Sequence, residues 1–148
     1  MSRVVRTESA TRTRERLMQA IALALRGLVN GKPSDEQLRD RLAFTILALD
    51  QIASSADETC NAWEKRGYWV KADRFRDEWS WVEQPRRDLR SALEAGDHSS
   101  AAARAAGLLV RLAAVHIPER LQSTRPWEGA WISWLEKAGR PGSHSSPT

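Results

Sequence analysis

Residues 42–93 read LAFTILALDQIASSADETCNAWEKRGYWVKADRFRDEWSWVEQPRRDLRSAL, and this stretch decides the fold. Its first half carries Leu42, Ile46, Leu49, Ala53, Ala56, Cys60 and Trp63 at alternating steps of four and three. That is the seam of a helix packed along a neighbour. Its second half repeats the pattern at Tyr68, Ala72, Phe75, Trp79, Val82, Arg86, Leu89 and Leu93. One continuous helix cannot carry both stripes. Extending the first past Trp63 predicts Val70 where the second has Ala72, and two residues turn a helix by about 200°. A turn at Gly67 and an antiparallel helical hairpin satisfy both. Facing residues then keep a constant index sum of 135. Small residues mostly oppose large ones, as Cys60 opposes Phe75 and Ala56 opposes Trp79. Trp63 and Trp79 are core by this spacing. Leu49 opposes Arg86, and a charge on a seam needs a partner. The nearest acid on the facing helix is Asp50, so an Asp50–Arg86 ion pair is predicted. Pro85 should bend this helix without breaking it, because the stripe keeps its phase beyond it.

Working outward, a first helix runs from Ser9 or Thr11 to Val29, with Leu17, Met18, Ile21, Leu25, Leu28 and Val29 as its stripe. Asn30-Gly31 and Pro33 stop it. Ser34 with Gln37 three residues on forms a capping box that opens the second helix. Ala95-Gly96 closes the third, and Asp97 caps a fourth carrying Ala101, Ala105, Leu108, Leu109, Leu112 and Val115 up to Pro118. Pro126 begins a last helix, with Trp127, Trp131, Trp134 and Leu135 on one face. The fold expected is all-α: an up-down four-helix bundle with a short Trp-rich fifth helix at the C-terminus. Residues 1–10 are expected as a basic N-terminal arm, 11–138 as a single helical-bundle domain and 139–148 as a flexible tail.

The chain has 148 residues, a formal charge of +4 and a single cysteine. One cysteine excludes an internal disulfide framework and argues against a thiolate zinc site. With no apolar run of spanning length, the expectation is a cytoplasmic protein without a membrane partner. Residues 1–30 hold six arginines and two glutamates, an excess equal to that of the whole chain. Cations at a helix N-terminus oppose the dipole, so Arg3, Arg6, Arg12, Arg14 and Arg16 are candidate binding residues for phosphate or an acidic protein face. Of 23 basic residues 19 are arginine, the side chain suited to forked contacts with phosphate and carboxylate.

Catalytic constellations are sparse. No Glu-x-x-His motif exists for a carboxylate-bridged metal, and Cys60 lies on the seam as an inert thiol. Neither cofactor nor metal is expected. Arg111-Leu-Ala-Ala-Val-His116 resembles the Arg-x4-His spacing of HEPN-type ribonucleases, which are helical bundles. The resemblance covers six residues and implies an arginine that positions phosphate and a histidine that helps cleave RNA. Leu112 stands where that family has a polar residue. The competing reading sets His116 against the negative end of the fourth helix. Trp69 and Trp81 lie off the main seam and read as packing against other helices, or as interface anchors if they stay exposed. The leading expectation is a non-enzymatic interaction protein that binds another protein or itself. A nucleic-acid-binding accessory subunit using the arginine-rich start comes second, and a HEPN-like ribonuclease third.

Overall fold

A computed structural model describes the backbone of residues 2–145 and the side chains of residues 10–137. Among the described residues the chain is helical without a strand, and no helix is long and apolar enough to cross a membrane. Helix α1 (Ser2–Asn30) is followed by α2 (Asp35–Lys65), α3 (Trp69–Trp79), a 3-10 turn (Ser80–Val82) and α4 (Glu83–Glu94). Then come α5 (His98–Arg111), the single turn α6 (Glu119–Gln122) and α7 (Ala130–Ser145).

The ends of these helices follow from local chemistry. Ser34 Oγ accepts the Gln37 amide at 3.2 Å while the Ser34 amide donates to Gln37 Oε1 at 3.1 Å, satisfying donors that a helix start leaves bare. At the other end of α2, Gly67 takes φ +82°. The Tyr68 amide then donates to the Trp63 carbonyl and the Gly67 amide to that of Glu64, so the last carbonyls are used and the chain reverses. Gly96, at φ +73°, closes α4 the same way, with the Asp97 amide on the Ala92 carbonyl. Asp97 then accepts the Ser100 amide at 3.1 Å and starts α5.

Helix α2 lies at the centre and packs against α1, α3, α4, α5 and α7. Arg14 meets Ser55 and Thr59 at one end of α1, and Arg41 meets the Ala24 carbonyl near the other, so α1 and α2 run antiparallel. Cys60 beside Ala72 and Asp50 beside Arg86 give α3 and α4 the same opposition to α2. The core gathers Ile21 and Leu25 with Leu42, Ile46, Leu49 and Ile52, and reaches Leu89 and Leu112.

Several boundaries differ from the sequence reading. The third helix does not merely bend. It breaks into α3 and α4 through the 3-10 turn just upstream of Pro85. Proline has no amide to give the Trp81 carbonyl, and its ring crowds that carbonyl, so the ladder tightens there. The seam keeps its phase: Ala72, Val82, Leu89 and Leu93 are all buried. Tyr68, assigned to that seam, is instead 53% exposed, and Trp63 and Trp79 are half-buried. Helix α5 stops at Arg111, so Val115 and His116 lie beyond it. Helix α7 starts at Ala130, after a turn in which Gly129 takes φ +78°. The backbone of residues 2–10, expected as an arm, belongs to α1, and that of 139–145, expected as a tail, belongs to α7.

Candidate docking site at the α2–α3 tip

The reversal at Gly67 leaves three consecutive apolar side chains in solvent. Tyr68 is 53%, Trp69 60% and Val70 67% exposed. Tyr68 is spent on closing α2, and Trp69 and Val70 open α3 beyond the point where its seam meets α2. With Gly67 and Lys71 they line a shallow cleft of about 480 Å³. Contiguous exposed aromatics are unusual on a folded surface and mark contact sites.

Trp69 stands apart from the other six tryptophans, each of which has a ring or cation partner. Trp63 meets Phe75 edge-on, with centroids 5.1 Å apart, and carries Lys71 on its face. Phe75, Trp79 and Trp81 continue as a ladder, capped by Arg111 at 4.8 Å from the Trp81 ring. Arg41 lies 3.9 Å from the centre of Trp127, and Arg39 and His98 meet Trp131, which stacks on Trp134. Trp69 has no such contact among the described residues.

The tip is also basic. Residues 64–76 carry Lys65, Arg66, Lys71, Arg74 and Arg76 against Glu64 and Asp73. Arg76 takes both acids, Glu64 at 2.8 Å and Asp73 at 3.1 Å. The Glu64 hydrogen bond, the largest influence, holds its guanidinium above the ordinary arginine value. Lys65, Arg66, Lys71 and Arg74 are exposed and make no ion pair among the described residues.

The other candidate residues are scattered. Arg3 and Arg6 have side chains outside the described residues, while Arg12 and Arg16 are exposed. Arg14 is buried at 5% exposure, between α1, α2 and α3. It donates to Ser55 Oγ at 2.7 Å and Thr59 Oγ1 at 3.2 Å and lies over Phe75 and Trp79. Desolvation lowers its affinity for its proton, and an external partner would have to unpack it. Trp81 is half-buried in the aromatic ladder.

Asp50 and Arg86 are in contact, and Arg90 shares the same carboxylate at 2.7 Å. Arg86 also reaches Glu83 at 3.1 Å. This network borders a groove of about 440 Å³ that Asp57, Cys60, Arg76 and Trp79 also line. Its two arginines are already held by Asp50, Glu83, Glu64 and Asp73, which leaves little for a ligand. Cys60 donates to the Ala72 carbonyl at 3.5 Å, and burial pushes its thiol up, away from a nucleophilic thiolate.

Arg111 and His116 lie in different local settings. Arg111 is the last residue of α5 and is stacked on Trp81, whereas exposed His116 follows in non-helical chain. Among the described residues no group of His, Cys, Asp or Glu is arranged to hold a metal.

Sequence reasoning missed Tyr68 and Val70, and the cations around them. The available signal was Gly67: residues directly after a left-handed helix stop lie at the molecule's end before a seam can form. Comparison with protein-family models, curated proteins and solved structures finds no match.

Proposed function

We propose that this chain is a non-enzymatic interaction protein: an up-down arrangement of four principal helical columns, the third broken into α3 and α4, with α7 as a Trp-rich lid. Its docking element is the α2–α3 tip. The observation that carries this reading is Trp69, 60% exposed between two exposed apolar neighbours while every other tryptophan is engaged. Burying a tryptophan and its neighbours against a partner recovers apolar area that folding leaves in water. One buried free thiol suits a reducing compartment, and it supports the cytoplasmic location we propose.

The test is a photo-crosslinking residue at Val70 in the full chain, expressed in the cells that make it, with Glu94 as an exposed control elsewhere. Discrete adducts from position 70, absent from position 94 and lost with Trp69→Ala, are the expected result. Adducts at neither position, or equally at both, would contradict a docking tip.

A further inference from the structure

We infer that the α2–α3 tip binds single-stranded nucleic acid, an inference that rests on the docking reading above and names the partner's chemistry. Single strands are held by aromatic faces on which bases stack, set among cations that follow the phosphates. The tip supplies both. Tyr68 and Trp69 are adjacent, more than half exposed, and without a ring or cation partner among the described residues. Lys71 shares their cleft, exposed Lys65, Arg66 and Arg74 flank them in the chain, and the two acids among residues 64–76 are already taken by Arg76.

The backbone of the arginine-rich start of α1 runs toward the same end of α2. Arg14 packs beside Ser55 and Thr59. Antiparallel helices rise equally per residue. Eight residues before Arg14 is Arg6, and eight after Ser55 and Thr59 are Trp63 and Gly67, so the α1 backbone at Arg6 is level with the last turn of α2. Folding thus brings the α1 backbone near the end of α2, although the two are far apart in sequence.

The same chemistry disfavours the rival partners. Insertion into an anionic bilayer would rest on one aliphatic side chain, Val70, since Tyr68 and Trp69 carry polar groups suited to the interface. An acidic peptide would use the cations but offers the two rings nothing that must stack.

The experiment titrates the full chain into fluorescein-labelled oligothymidylate and oligouridylate of about a dozen nucleotides, followed by anisotropy at two salt concentrations. Phosphatidylcholine vesicles containing phosphatidylserine, and polyglutamate, serve as the other anionic probes. The expected result is oligonucleotide binding that weakens with salt by about 0.7 log units per log unit for each phosphate engaged. Trp69→Ala should weaken it by about 5- to 150-fold, and Trp69→Phe should restore most of it. Arg74→Glu should weaken it and flatten the salt dependence. No oligonucleotide binding at low salt, or binding indifferent to Trp69→Ala, would overturn the proposal. Trp69-dependent binding to vesicles or polyglutamate alone would also overturn it while leaving the docking tip intact. Failure of the docking reading itself would show separately, as loss of the position-specific adducts at Val70.

Discussion

One residue carries a decision that the sequence pattern could not show. Arg14 sits among four arginines that otherwise look alike, yet it is the one folded inward onto Ser55, Thr59, Phe75 and Trp79. Its phase on α1 sets this, because two residues either way point to the opposite side of the helix. Arg14→Ala would strand two hydroxyls and leave a cavity beside the aromatic ladder. It is expected to cost about 2–4 kcal/mol in urea unfolding, against about 0.5 kcal/mol or less for Arg12→Ala and Arg16→Ala. Equal effects at all three positions would contradict the burial. Cys60 lies on the seam that its spacing defines and is buried. Burial raises its folded-state pKa, so the unfolded chain ionises the thiol first. Its contribution is therefore present below the ordinary thiol range and is lost as pH rises through that range toward the raised value. Urea midpoints should fall across that window in the wild type and stay flatter in Cys60→Ala. In native protein the thiol should also resist a disulfide reagent that reacts promptly once urea is added.

At the scale of elements, α7 is fixed at its start by a side chain of α2. Asp40 of α2 accepts the Trp131 amide at 3.0 Å and the Gly129 amide at 3.3 Å. A carboxylate from another helix thus caps the start of α7 and meets its positive end. Asp40→Ala should cost about 1–2 kcal/mol, with faster hydrogen exchange across 130–137 than across α2. Uniform exchange in both would argue against a separately held lid. Arg41 is clamped more tightly. Its guanidinium donates to the Ala24 carbonyl at 2.8 Å and stacks on Trp127. A Cβ at Gly27 would overlap that guanidinium. Gly27→Ala should therefore destabilise by about 1–2 kcal/mol, although alanine normally favours a helix by about 1 kcal/mol over glycine. In an Arg41→Ala background the same change should become neutral or stabilising. An unchanged sign in both backgrounds would show that the guanidinium is not what excludes the Cβ. The hairpin of α2 with α3 and α4 was legible in the sequence because seam spacing and glycine stops are local signals. The split at Ser80–Val82, the early end of α5 at Arg111 and the delayed start of α7 were not. Each depends on which carbonyl finds an amide after packing, and hydrophobic period does not encode that.

Across the whole molecule, folding sorts charge and tryptophan into different jobs. Most of the tryptophans serve as internal surfaces on which Arg14, Arg39, Arg41, Arg111 and Lys71 rest. This explains in part why a chain so rich in both residue types exposes so few of its rings. The sequence could rank Trp69 and Trp81 together, since they share a helical face. It could not separate them, because Trp81 falls where α5 brings Arg111 alongside and Trp69 falls where α3 has no neighbour. Nor could it bring the α1 backbone near Arg6 to the end of α2, which needs the register of two long helices. The docking tip depends on Trp69 standing in water. Acrylamide quenching of tryptophan fluorescence, in the wild type and in Trp69→Phe, tests that most directly. The account predicts that the variant loses the most quenchable, longest-wavelength emission while its unfolding midpoint stays the same; unchanged quenching in the variant would mean that Trp69 is covered and that the tip is no docking site.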